Sequence, residues 1–208
     1  MDRRLWKRYW RRALWTAWFV RFVPYVRMVG LNGSMVTGKL HEGSDIDFFV
    51  VLKEGRIFTG RVLVTLIVHL LGVRRHHALV AGRVCLNRYA SDSFLVIQEE
   101  NDYHARVFHN LVPLFSTHRA YERYRLANAW MDRLGHPLAD HEPILKETYW
   151  SWLLRGTAEQ LLAPFSQALE DWLRQRHLRR TAEDPRVRLP GSKVVISDQE
   201  LRFHLAKD

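Results

Sequence analysis

Residues 29–53 read VGLNGSMVTGKLHEGSDIDFFVVLK, and the fold is decided there. An apolar run ends at Gly33-Ser34, ten residues follow, and Ser44-Asp45-Ile46-Asp47 leads into Phe48-Phe49-Val50-Val51-Leu52. Each run is a short, continuous apolar stretch bounded by Gly, Ser and Asp, which predicts two buried strands. Asp45 and Asp47 stand at i and i+2, so a strand places both carboxylates on one face, roughly 6–7 Å apart, with Ile46 turned into the core. Two acids that close repel unless a cation or hydrogen bonds compensate them. A hard divalent ion does so, and Mg²⁺ in particular takes one or two carboxylates together with substrate phosphate oxygens. Gly33 lets a phosphate approach the backbone, and the Ser34 hydroxyl can donate to it.

Gly33-Ser34, a ten-residue spacer and Asp45-x-Asp47 entering an apolar strand resemble the signature of the DNA polymerase β-like nucleotidyltransferase superfamily, and within it the small prokaryotic minimal nucleotidyltransferase-domain proteins. The resemblance implies an α/β (α+β) fold with a small mixed, palm-like sheet. It implies an enzyme that moves a nucleoside monophosphate from an NTP, ATP among them, onto an acceptor hydroxyl. Asp45 and Asp47 would bind two Mg²⁺ ions, with Mn²⁺ as the substitute, and Gly33 and Ser34 would hold the triphosphate. Ser44, Lys39 and Arg56 are further candidates for nucleotide contact. The superfamily's third carboxylate falls on the strand Arg83–Tyr89, where the matching residue is Asn87. An amide can coordinate a metal through its carbonyl but accepts no proton at neutral pH. Asp92, Glu99, Glu100 or Asp102 are the acids near enough in sequence to replace it. The alternatives to an enzyme are a catalytically degenerate nucleotide- or RNA-binding module and an antitoxin-like interaction protein.

Composition sets the frame for these motifs. The chain has 208 residues, 47% of them hydrophobic, which suits a globular protein with a proper core. A single cysteine, Cys85, excludes an internal disulfide framework and points to a reducing, cytoplasmic setting. A net charge of +10 suggests a polyanionic partner, RNA first and an anionic membrane surface second.

Residues 3–22 predict a basic amphipathic helix with Trp6, Trp10, Leu14 and Trp18 every fourth residue. Arginines interrupt it and no small-residue cleavage site follows, so it reads as neither a signal peptide nor a transmembrane segment. It either packs its aromatic stripe on the sheet or serves as a peripheral membrane anchor or RNA-facing surface.

The expected architecture is a sheet over residues 25–98 with helices on one face, including a fourth strand at Phe94–Gln98. Thr59 is the expected cap of a helix buried all round. Asn101–Phe115 should be a helix capped by Asn101 and broken at Pro113, and residues 119–134 another. A third helical stretch, Tyr149–Arg176, breaks near Ala163-Pro164, with Phe165, Leu169, Trp172 and Leu173 on one face. The domain reading is therefore a nucleotidyltransferase domain (1–100), a helical region (101–180) and a basic tail (181–208). Arg174, Arg176, Arg179, Arg180, Arg186, Arg188 and Lys193 form either a dipole-compensating helix end or a phosphate patch.

Overall fold

The computed structural model describes residues 2–76 and 79–204. Met1, His77, Ala78 and the tail beyond His204 lie outside the described residues, as do the side chains of Arg186 and His204. Helix α1 (Arg3–Val20) leads into β1 (Val26–Asn32) and β2 (Ile46–Leu52), followed by α2 (Ile57–Leu70) and β3 (Val84–Ser91). Then come α3 (Asp102–Phe108), β4 (Val112–Ser116), α4 (Ala120–Ala127) and α5 (Trp130–Arg133). Helices α6 (Tyr149–Leu162) and α7 (Ser166–Ala182) and the strands β5 (Lys193–Ile196) and β6 (Glu200–His204) complete the chain. The six strands form one mixed sheet in the order β4-β1-β2-β3-β6-β5, in which only β2 and β3 run parallel.

Side chains along β2 alternate between two cores. Ile46, Phe48, Val50 and Leu52 pack with α1 and α2, while Phe49 and Val51 pack with α3, α4 and α5. Helices therefore cover both faces rather than one, which is why β1 and β2 are apolar at nearly every position.

Several expectations are corrected. Phe94–Gln98 is not a strand; it runs as an irregular segment whose Leu95 and Ile97 are buried. The buried Asn128 side chain holds it, accepting from the Ile97 N–H at 2.8 Å and donating to the Leu95 carbonyl at 2.8 Å. The strand is instead β4, inside the stretch expected to be helical. Asn101 caps α3 as expected, but that helix stops at Phe108. Pro113 is tolerated because β4 is the sheet's edge strand on that side. The helical run 119–134 divides at Asn128. The C-terminal hairpin β5–β6 docks on β3, so all three expected segments supply strands to one sheet.

Helix faces also turn out differently. On α1 the buried face is Leu5, Tyr9, Ala13, Thr16, Ala17 and Val20, one position round from the expected stripe. Trp6 and Trp10 stack at 5.0 Å on its flank, and Trp15 and Trp18 face solvent. Leu66 and Leu70 of α2 are exposed, as are Phe165 and Trp172, while Glu170 of α7 is buried. Thr59 is not a cap but a residue of the first turn of α2. The cap comes from Glu170, whose carboxylate accepts from the Phe58 and Thr59 N–H groups at 2.8 Å each and from the Thr59 hydroxyl at 2.6 Å. An anion at a helix N-terminus satisfies orphan donors and complements the dipole. Replacing Glu170 by Ala should cost about 2 kcal/mol, a fall in Tm of roughly 4–8 °C in a thermal melt.

Candidate active site

Antiparallel pairing sets Asn32 of β1 opposite Asp47 of β2, so the turn that follows β1 crosses the mouth of β2. Residues Gly33–Met35 form a single 3₁₀ turn there. Gly33 adopts φ +72°, and a Cβ at this position would stand 2.0 Å from Asp47 Oδ2. No other residue type fits: the turn and the carboxylate pair are built against each other.

Ser34 and Asn32 line a cleft of about 910 Å³ with Asp47, Lys39 and Asn87. The Ser34 hydroxyl and the Asn32 Oδ1 are buried and have no partner among the described residues. Orphaned polar atoms at a cleft wall are what a ligand with phosphate oxygens or a coordinated cation would satisfy. Helix α3 supplies a further wall through Tyr103, His104 and Arg106, with His109 at its C-cap, and the C-terminal hairpin adds Lys193 and Arg202.

The carboxylate pair has a third neighbour that the sequence did not reveal. Donor atoms of Asp45, Asp47 and Cys85 lie within 4.8 Å of one another. Strand β3 pairs Cys85 with Asp47 but Arg88 with Phe49, so β3 carries one extra residue between them. Regular parallel pairing with Asp47 puts the Cys85 sulfur beside the acids, and the extra residue that follows breaks the alternation, so that Asn87 and Arg88 both reach the cleft. Arg75 completes the cluster, donating to Asp45 Oδ2 at 2.6 Å and reaching the Cys85 sulfur at 3.5 Å.

Burial, reinforced by the charge of Asp45, pushes the Asp47 carboxyl up to about 7, against the pull of Arg75. Burial and then the two carboxylates push the Cys85 thiol up to about 12. Crowded like charges of this kind are relieved by a bound cation, so the residues present fit a divalent ion at Asp45 and Asp47.

Two of the expected nucleotide contacts are not brought here. Arg56 lies past the far end of β2, about 17 Å of strand from Asp47. There it donates to Ser166 Oγ at 2.8 Å and Gln167 Oε1 at 3.0 Å of α7. Ser44 is buried behind the pair, where its hydroxyl accepts from the His41 N–H at 3.0 Å and closes the loop before β2.

Of the acids considered as replacements, Asp92 sits among Arg27 and Arg123 at 3.9 and 3.7 Å. Glu99 pairs with Arg202 at 2.6 Å and Glu100 with Arg133 at 3.5 Å. Asp102 does line the cleft, bonded to Arg106 and, at 2.9 Å, to His136.

The sequence from residue 18 to residue 113, just under half of the chain and spanning β1 to the start of β4, matches the nucleotidyltransferase domain family. This part of the chain is a nucleotidyltransferase domain of the polymerase β-like superfamily. No curated protein matches the chain. Among the described residues no helix is long and apolar enough to cross a membrane.

Proposed function

We propose that this nucleotidyltransferase domain uses the Asp45–Asp47 cleft to transfer a nucleoside monophosphate from an NTP to an acceptor hydroxyl, releasing pyrophosphate. The observation that carries the reading is the fit of Gly33 against Asp47, which joins the Gly33-Ser34 turn and the carboxylate pair in one site. Asp45 and Asp47 would hold divalent cations, Mg²⁺ or Mn²⁺, and when bound these supply charge neutralisation at the α-phosphate and the leaving pyrophosphate.

The chain's own residues divide the remaining work. The unpartnered Ser34 hydroxyl donates to a phosphate oxygen, and Lys39 at the rim offers a point charge to the same chain of phosphates. Asn87 positions a substrate or metal-bound group through its amide. Both nitrogens of His104 are engaged, with Asn101 at 3.0 Å and Glu99 at 3.5 Å. His109 differs. Its Nδ1 faces the Ala105 and Arg106 carbonyls at 3.1 and 3.0 Å, and carbonyls only accept. Nδ1 therefore carries the proton and Nε2 is the basic nitrogen. His109 lines the cleft, so it takes the role of receiving the acceptor hydroxyl's proton that the family's third carboxylate would otherwise fill.

RNA is the acceptor class that the surface favours. Arg4, Lys7, Arg8 and Arg11 form an exposed basic stripe on α1 that continues into Trp15 and Trp18. Phosphates and stacked bases suit that pairing of residues. One observation favours a nucleotide-binding module without turnover, namely that β3 offers Cys85 and Asn87 where an acid is expected.

Incubation with each α-labelled NTP, Mg²⁺ or Mn²⁺, and an extract of RNA and protein separates these readings. Label should move to a macromolecular band with the wild type and not with Asp45→Ala/Asp47→Ala. Saturable NTP binding without transfer for any nucleotide would leave the binding module.

A further inference from the structure

At the end of the sheet away from Asp47, the carboxyl ends of β2, β3 and β4 meet the start of β1. The length of β2, about 17 Å of strand, separates this end from the carboxylate pair. Helices α4 and α6 flank it and leave a second cleft of about 790 Å³, a size that suits a small ligand.

The walls of this cleft hold residues that folding alone would avoid. His118 and Arg119 both keep a left-handed backbone, at φ +52° and +55°. That conformation is strained for a residue with a Cβ, and such strain gathers at functional sites. Gly156 stands in the middle of α6, where glycine weakens a helix. A Cβ at 156 would meet nothing within 4 Å, so no neighbour requires the glycine; what it leaves is room in the cleft.

The cleft is also short of anions. Arg27, Lys53, Arg119, Arg123 and Arg155 line it, against Asp92, Glu122 and Glu159. Five cations against three carboxylates leave an excess of two. His118 does not add to it, because partial burial and then the charges of Arg27 and Arg155 hold its imidazole below the ordinary value. Two of the acids are already engaged. Glu159 accepts from Arg27 at 2.9 and 3.1 Å and from the Tyr25 N–H at 2.9 Å, and Asp92 accepts from the Glu54 N–H at 2.8 Å. The exposed Arg119 guanidinium has no hydrogen bond or ion pair among the described residues, and Arg123 has Asp92 at 3.7 Å. Beside them the Trp152 indole is 56% exposed on the wall of the cleft.

Guanidinium groups grip phosphate oxygens two at a time, and an open aromatic face takes a base by stacking. A phosphate monoester carries about −1.5 to −2 charges at neutral pH, which matches the excess. We propose that this distal cleft is a binding site for a nucleoside monophosphate, with Arg119 and Arg123 on the phosphate and Trp152 on the base. It is separate from the Asp45–Asp47 cleft, and its test does not depend on transfer.

That test is calorimetric titration of the full-length protein, in buffer with a chelator, with AMP, GMP, CMP and UMP in separate runs. At least one should bind, and the matching nucleoside and inorganic phosphate should each bind at least about tenfold more weakly, since each lacks one half of the contacts. Arg119→Gly should weaken that binding at least about tenfold while its Tm stays at or above the wild type's, because glycine takes a positive φ without strain. Gly156→Leu should fill the cleft and weaken binding by at least about the same factor, again with no fall in Tm, since leucine favours a helix interior. Ser34→Ala, in the other cleft, should bind the monophosphate within about twofold of the wild type.

No binding of any of the four monophosphates to the wild type would overturn the proposal, and that observation needs no variant to fold. Affinity that survives within about twofold in both Arg119→Gly and Gly156→Leu would overturn it too. So would a loss in Ser34→Ala equal to theirs, which would put the monophosphate in the first cleft.

Discussion

Asp47→Asn should abolish nucleotidyl transfer and at the same time make the metal-free protein more stable at pH 8. The fold holds the Asp47 carboxyl at about 7, well above its ordinary 3.8, chiefly because it is buried and then because Asp45 is beside it. A raised folded-state value means the native state prefers the protonated acid. Stability from this group is then full at low pH and is lost as pH rises from about 4 through about 7. Above that, the ionised carboxylate costs on the order of 4 kcal/mol relative to a neutral one. Asparagine never ionises but must still be desolvated, so about half of that, some 2 kcal/mol, should be recovered.

At pH 8 the variant should melt roughly 4–8 °C above the wild type, and at pH 4 the gap should close. Saturating divalent ion should raise the wild type's Tm at pH 8 and leave the variant's unchanged. Transfer should fall at least about a hundredfold, as expected when charge aimed at a transition state is removed. A variant that is destabilised equally at both pH values would mean that Asp47 is a structural acid.

Gly33→Ala is the second large effect, and it works by collision. The new methyl would meet Asp47 Oδ2 at 2.0 Å, so the carboxylate or the turn must move. The φ of +72° adds backbone strain of about 1–2 kcal/mol for a residue with a Cβ. Transfer should drop at least about a hundredfold, since displacements near 1 Å at a reacting centre cost that much. Gly38 is the control within the same loop. Its φ is +74°, yet a Cβ there meets nothing within 4 Å. Gly38→Ala should show the same strain in a melt while keeping transfer within about twofold. Equal loss of activity in both variants would show that backbone flexibility, not the Gly33–Asp47 contact, is what matters.

What was legible in the sequence was local. The two apolar runs of β1 and β2 and the Gly-Ser and Asp-x-Asp elements could be read because strand burial and turn chemistry leave signals within a few residues. Asn101 as a cap and the break at Ala163-Pro164 are of the same kind. What was illegible depends on partners distant in the chain. Glu170 caps α2 across more than a hundred residues, and Asn128 holds the 95–97 segment from thirty-odd residues away. Cys85 stands beside the acids because β3 pairs it with Asp47, a contact between strands distant in the chain that no local pattern records. Arg56 is close in sequence to the Asp47 strand, but an extended strand carries it to the opposite end of the sheet. A proline hid β4, because edge strands admit what central strands refuse.

The measurement that tests the central claim most directly is a paired incubation of purified protein, divalent ion and acceptor with α-labelled and with γ-labelled NTP. The account predicts α-label on the acceptor, γ-label released as pyrophosphate, and both signals lost in Asp45→Ala/Asp47→Ala. Label from the γ-position on the acceptor, or transfer that survives in the double variant, would contradict it.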